Sequence, residues 1–199
     1  PRGAEATPIA GDGVTSVSSA GSAVYALDAK TGKELWVYDP EVSGKDAAKG
    51  CCDVVNRGVA VHNGKVFIGV CDGRLEALDA ATGAVVWSEV TVDQSKPYTI
   101  TGAPRVFKNK VIIGNAGAEL GVRGYVTAYD VDSGELVWRF YTVPNPDKKP
   151  DGAASDAILA KLANETWGDD GAWVTDGGGG TAWDSIVYDT VNDQILIGV

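Results

Sequence analysis

Apolar and polar positions alternate along this chain over short stretches that end at glycine or at a polar cluster. Val24 and Ala26 share one face of such an alternation, the period-two pattern of a half-buried strand. Val66-Phe-Ile-Gly-Val70 and Val111-Ile-Ile-Gly114 are short apolar runs broken or closed by glycine, which predicts two buried strands. Stripes at the helical period are scarce. The exception is Asp156-Ala-Ile-Leu-Ala-Lys-Leu-Ala163, which predicts a short helix capped by Ser155. No apolar run approaches the roughly 18 residues that a membrane-spanning helix needs.

The alternation repeats. Ala26-Leu-Asp-Ala-Lys-Thr-Gly-Lys-Glu-Leu-Trp36, Ala77-Leu-Asp-Ala-Ala-Thr-Gly-Ala-Val-Val-Trp87 and Ala128-Tyr-Asp-Val-Asp-Ser-Gly-Glu-Leu-Val-Trp138 read alike, and successive tryptophans are 51 residues apart. Val187-Tyr-Asp-Thr-Val-Asn-Asp-Gln-Ile-Leu reads as a degenerate fourth copy, with Asp189 displaced by a longer stretch before it. In each unit the aspartate-to-glycine piece predicts a hairpin turn, with glycine supplying a positive φ. The tryptophan ending the next strand is large enough to cover the gap to a neighbouring unit. A four-stranded unit of about 50 residues, repeated, predicts an all-β fold: a β-propeller with Trp-docking repeats, about four blades of it. A β-solenoid or a sandwich is the competing architecture, and the constant spacing argues against both. Two stretches interrupt the repeat, 40–58 and 142–180. Insertions of this kind are expected on one face of the ring, the face that carries function.

Composition narrows the function. The 17 basic and 27 acidic residues leave a net charge of −10, which excludes a nucleic-acid surface built on clustered Lys and Arg. Glycine is abundant, with 26 residues, as many tight turns require. The chain has no methionine, begins at Pro1 and stops at Val199 inside an apolar run. The expectation is a piece of a longer gene product, with residues 1–199 forming a partial propeller domain cut at both ends.

Few residues carry chemistry. The single histidine, His62, stands beside Asn63-Gly64 and reads as an exposed turn residue. Cys51, Cys52 and Cys71 match no zinc spacing, and no nucleophile elbow is present. Gly114-Asn-Ala-Gly-Ala-Glu-Leu-Gly121 lacks the spacing and the following helix of a dinucleotide loop. Cys71 reads as a buried strand residue. The adjacent Cys51 and Cys52 are either two buried thiols or a disulfide closing an eight-membered ring. Such a bond hardly restricts the unfolded chain, so its use would be local, as a flat sulfur platform in an oxidising compartment.

Four motifs together resemble the quinoprotein alcohol dehydrogenases, which carry pyrroloquinoline quinone (PQQ). They are Gly50-Cys-Cys-Asp-Val-Val-Asn-Arg-Gly58, Thr99-Ile-Thr-Gly-Ala-Pro-Arg105, Gly117-Ala-Glu-Leu-Gly-Val-Arg-Gly124 and Gly177-Gly-Gly-Gly-Thr-Ala-Trp-Asp184. The tryptophan repeat resembles that family's eight-bladed ring. The last motif is most similar to the quinohaemoprotein branch, whose chains add a haem c domain.

The resemblance implies a role for each matching residue. Cys51 and Cys52 would form a vicinal disulfide against one face of the quinone, and Trp183 would stack on the other. Arg57 would bond the quinone oxygens and stabilise negative charge as the cofactor is reduced. Thr101 and Thr181 would hydrogen-bond carboxylates or carbonyls. Glu5 matches a carboxylate near the cofactor. Ala116, Gly117 and Ala118 would bring backbone close to it. Glu119 matches a metal-ligating glutamate, suited to Ca²⁺ or a lanthanide. Each has a plainer rival: Trp183 as core, Arg57 in a surface ion pair, Glu119 as a solvated loop acid, glycines 177–180 as a flexible linker.

The activity implied is PQQ- and metal-dependent oxidation of a primary alcohol to an aldehyde, by hydride transfer to the quinone. The electrons pass to a cytochrome c, a haem domain or a dye. The family's asparagine metal ligand and catalytic aspartate correspond to positions following Val199, so the 199-residue piece alone is expected to be inactive and poorly stable. A periplasmic location follows from the family and the cysteine pair. The alternative is a non-catalytic Trp-repeat propeller that binds other proteins, as outer-membrane assembly factors do. Within the enzymes, the alternative is a methanol- or lanthanide-type relative.

Overall fold

The computed structural model describes residues 4–50, 53–167 and 172–199. Cys51 and Cys52 lie outside the described residues. Three four-stranded antiparallel sheets follow one another in chain order. The first holds β1 (Ile9–Gly11), β2 (Val14–Ser18), β3 (Val24–Asp28) and β4 (Glu34–Tyr38). The second holds β5 (Val59–His62), β6 (Lys65–Gly69), β7 (Arg74–Asp79) and β8 (Val85–Val90). The third holds β9 (Arg105–Phe107), β10 (Lys110–Gly114), β11 (Tyr125–Asp130) and β12 (Leu136–Tyr141). A two-stranded hairpin, β13 (Ile186–Asp189) and β14 (Gln194–Ile197), comes last. The first strands of successive units touch, β1 with β5, β5 with β9 and β9 with β13. These are blades side by side, as the period predicts.

The same device closes each of the three four-stranded blades. The register places Ala26 opposite Trp36, Ala77 opposite Trp87 and Ala128 opposite Trp138, and each alanine is fully buried. A bulge follows that alanine in all three sheets. The aspartate that ends the third strand then folds the turn over its own carboxylate. Asp28 Oδ1 accepts from the Thr31 amide at 2.7 Å and its hydroxyl at 2.6 Å. Asp79 does the same with Thr82, at 2.9 and 2.8 Å, and Asp130 accepts from the Ser133 amide at 3.0 Å. These bonds favour the ionised form, so all three carboxyls are held below the usual carboxylate value.

The tryptophans dock onto the next blade's turn. Trp36 Nε1 donates to Ala80 O at 3.0 Å, and Trp87 Nε1 to Val131 O at 3.2 Å. Each indole lies close against the turn glycine of the next blade. A Cβ on Gly83 would stand 2.7 Å from Trp36 Cε3, and one on Gly134 would stand 2.8 Å from Trp87 Cδ2. The glycine therefore answers two demands at once, a positive φ and room for the ring. The apolar interior sits between blades. Phe67, Leu75 and Trp87 meet Ile113 and Tyr129 across one seam, while Ile112, Val126 and Ala182 meet Ile186 across the next.

The fourth repeat copy is corrected. β13 packs beside the first strand β9, Phe107 stacks on Tyr188 at 4.2 Å, and Lys108 pairs with Asp193 at 2.8 Å. The turn at Asp189 therefore joins the first and second strands of the fourth blade, not its third and fourth. Its positive-φ residue, Asp193, corresponds to Asp12, Asn63 and Lys108 of the earlier first hairpins. An aspartate accepting from Val191 N builds a similar local loop in both places, which is why the pattern reads alike.

The insertions form short helices, α1 (Gly44–Ala47), α2 (Asp156–Thr166) and α3 (Ala172–Asp176). α2 runs one turn beyond the expected span. Ser155 does not cap it: its hydroxyl accepts from Tyr141 N at 3.0 Å, and its backbone is already helical. Asp156 organises the approach instead, taking the amides of Asp151, Gly152 and Ala153. Cys71 is buried as expected, but in the turn between β6 and β7 rather than in a strand, and burial pushes its thiol up to about 11. His62 ends β5, half-buried, beside the expected turn.

Candidate cofactor site

The first and third hairpin turns of each four-stranded blade lie at one end of the sheets. They are tied together by Ala29 N to Gly13 O, Ala80 N to Gly64 O and Val131 N to Asn109 O, all within 3.1 Å. The predicted site residues come from the opposite end. Arg57 precedes β5, Thr101 precedes β9, residues 116–119 follow β10, and Thr181 and Trp183 precede β13. Strand direction alone thus gathers segments that are more than 120 residues apart in sequence.

They line one cavity of about 330 Å³, bounded by Val55, Arg57, Thr101, residues 116–119, Gly180, Thr181, Trp183 and Val199. Every expected site residue outside the cysteine pair lines it, with the exception of Glu5. Trp183 is 45% exposed, so it is not a core residue. The Arg57 guanidinium lies 4.8 Å from the Trp183 ring centroid and 3.4 Å from a Glu5 carboxylate oxygen. Glu5 therefore enters the site through Arg57. Thr101 and Thr181 are buried, and Thr101 Oγ1 donates to Trp183 O at 3.4 Å. Arg57 N donates to Thr101 O at 3.0 Å, joining the two segments. At Gly117, where φ is +104°, a Cβ would meet Pro97 O at 2.6 Å, so backbone forms this wall. Glu119 is exposed, in a single 3₁₀ turn spanning Ala118–Leu120.

Two side chains that sequence reasoning passed over hold these segments. Buried Asn56 donates to Gly69 O at 2.8 Å and accepts from Gly58 N at 3.0 Å, fixing the chain around Arg57. Buried Asn115 accepts from Tyr125 N at 2.9 Å and donates to Arg123 O at 3.3 Å, closing the loop that carries residues 116–119. Their signal was a lone amide beside a buried strand, which must be satisfied internally.

Residues 1–197 match the PQQ family described as "Glucose/ethanol/alcohol dehydrogenase, beta-propeller domain". The chain belongs to this family. It is 55% identical over its whole length to the dehydrogenase subunit of the alcohol dehydrogenase (quinone) of Gluconobacter oxydans, of which it covers 27%. The structure of quinohemoprotein alcohol dehydrogenase ADHIIG from Pseudomonas putida HK5 superposes with a TM-score of 0.91 over 99% of this chain and 28% of that one, at 56% identity. A europium-containing methanol dehydrogenase superposes with a TM-score of 0.76 over 94% of this chain and 34% of that one, at 38% identity. The chain spans about a quarter of the length of the first two.

The cavity suits the cofactor of a PQQ family member. PQQ is flat and anionic and carries carbonyls. The lining offers an exposed indole face, a guanidinium, two threonine side chains and a wall of bare backbone. Its volume lies at the lower end of small-molecule sites, about 300–1,000 Å³. The fit to a metal is weaker. Among the described residues no three His, Cys, Asp or Glu side chains converge, and Glu119 brings one carboxylate to the lining. A Ca²⁺ ion takes about six to eight oxygens, so Glu119 accounts for one part of such a site.

Proposed function

We propose that this chain is part of a PQQ-dependent dehydrogenase that oxidises a primary alcohol to an aldehyde and passes the electrons to a cytochrome c or a haem domain. Residues 1–199 form part of its propeller domain. The observation that carries this is the convergence of eight expected residues, Arg57, Thr101, Ala116, Gly117, Ala118, Glu119, Thr181 and Trp183, on one cavity. PQQ, when bound, supplies the hydride-accepting redox chemistry, which no amino-acid side chain provides.

The chain's own residues then have separable tasks. Trp183 presents a half-exposed indole that fixes the plane of the cofactor. Cys51 and Cys52 would face it from the other side as a vicinal disulfide. Arg57, held by Glu5 and by the Thr101 carbonyl, brings positive charge to the oxygens that gain electron density. Thr101 and Thr181 orient the rim, and the backbone of residues 116–118 excludes water along one edge. Glu119 would contribute a ligand to Ca²⁺ or a lanthanide. The greater identity to the quinohemoprotein dehydrogenase than to the europium enzyme supports a haem-bearing partner. A periplasmic location fits a disulfide at Cys51–Cys52. Among the described residues no helix is long and apolar enough to cross a membrane.

The test is dye-linked oxidation of a short primary alcohol by the complete gene product, exported to a periplasm, with Ca²⁺ and with or without PQQ. Turnover that requires PQQ is expected. No turnover and no PQQ retained on the protein would leave the cavity unused and favour a protein-binding propeller.

A further inference from the structure

Glycines 177–180 all have positive φ, +81°, +76°, +70° and +64°, and they lead directly into Thr181 and Trp183. Four consecutive glycines have the widest conformational choice a chain can offer. Nothing in their own side chains fixes the direction in which the next residues emerge. External bonds fix it. Thr142, the first residue after β12, donates from Oγ1 to Gly180 O at 2.5 Å. Its own amide donates to Gly124 O at 3.1 Å, and Gly124 N donates to Gly179 O at 3.0 Å. Arg123 bridges Gly179 in parallel fashion. Three distant segments therefore meet at one junction.

The junction has no slack. A Cβ on Gly124 would stand 2.1 Å from Gly180 O and 2.5 Å from Thr142 Oγ1. A Cβ on Gly178 would stand 2.5 Å from Val143 Cγ1. Arg123 is itself pinned, through Nε to Val143 O and through both terminal nitrogens to Asp151, each at 2.8 Å. Backbone packs on backbone, and the Thr142 hydroxyl holds the last carbonyl before the site.

We propose that Thr142 is a positioning residue for the cofactor site: through the Gly180 carbonyl it sets where Thr181 and Trp183 stand. The proposal rests on the PQQ reading for its consequence in binding, but the geometry it describes belongs to the chain alone. It also assigns a use to the 142–180 insertion, whose two ends this hydroxyl joins.

The experiment uses the complete apoprotein as wild type, Thr142→Val and Thr142→Ser. PQQ is titrated and followed by quenching of tryptophan fluorescence. Amide hydrogen exchange over residues 181–183 is measured without cofactor. Thr142→Val is expected to weaken PQQ binding about tenfold, the effect of one lost hydrogen bond, and to speed exchange at 181–183. Thr142→Ser, which keeps the hydroxyl, is expected to stay within about twofold of wild type in both readouts. Should Thr142→Val misfold, Thr142→Ala removes the hydroxyl without adding a methyl and carries the same expectation. Wild-type binding and exchange in the hydroxyl-free variant, or a serine variant as weak as it, would overturn the proposal. A wild type that takes up no PQQ defeats the PQQ reading, while the exchange comparison still decides the role of Thr142.

Discussion

The two ends of each blade follow different rules. At the turn end, Asp28, Asp79 and Asp130 build the same loop, and Trp36 and Trp87 dock on it in the same way. At the other end no two loops are alike: an asparagine-pinned segment at 53–58, a 3₁₀ turn at 118–120 and a run of left-handed glycines at 177–180. The turn end buries large side chains and spends its hydrogen bonds on itself. The cavity end leaves an indole half exposed and sets a guanidinium in the cavity lining. Stability and binding are thus separated along the strand axis, and substitutions should separate them too.

The largest expected contrast is between two tryptophans. Trp87→Ala removes a buried indole from the seam between the second and third blades, together with its bond to Val131 O. In the complete protein it should cost about 3–5 kcal/mol of stability in a denaturant titration. Trp183→Ala should cost less than about 1 kcal/mol, because nearly half of the ring already meets solvent. It should instead weaken PQQ binding by at least about tenfold. Equal losses of stability in the two variants would erase the distinction between the ends.

A finer contrast lies within the turn end. Gly83 and Gly64 have the same left-handed backbone, at φ +75° and +71°. A Cβ at Gly64 meets nothing within 4 Å, whereas one at Gly83 strikes the Trp36 ring. Gly64→Ala should cost the conformational penalty alone, about 1–2 kcal/mol. Gly83→Ala should add an overpacking cost of about 1–3 kcal/mol. Similar melting temperatures for the two would mean that the indole can move aside, and that docking is looser than the close approach indicates.

How much was legible in the sequence follows the same division. The blades could be read because a fixed period forces the same small alanine, the same aspartate and the same glycine into each copy. Asp189 misled because an aspartate loop can close either hairpin of a blade, and only the contact of β13 with β9 tells which. The cavity was legible where motifs matched a known family, and there the chain supplied the residues in the right order. Asn56, Asn115 and Thr142 were not legible, because their work depends on which backbone groups the fold brings beside them. Glu5 was found, but its contact with Arg57 needed the three-dimensional path of the N-terminal segment. Cys51 and Cys52 lie outside the described residues, so their pairing rests on the family resemblance alone.

The smallest expected effect is on acid stability, and it belongs to the turn end. The Thr82 hydroxyl and amide hold the Asp79 carboxyl below its ordinary value of 3.8. A carboxyl depressed in the folded state adds stability above its unfolded value, and that stability is lost as pH falls through the lower folded value. Asp28 and Asp130 are depressed in the same way, so several blades weaken together in acid. Asp79→Asn keeps an acceptor oxygen but does not titrate. Its denaturation midpoint should therefore fall less steeply than the wild type's below about pH 4, and lie at or below it at neutral pH. Parallel curves for the two proteins across that range would mean that the threonine bonds favour neither protonation state. The turn would then be held by its backbone and its docked tryptophan alone.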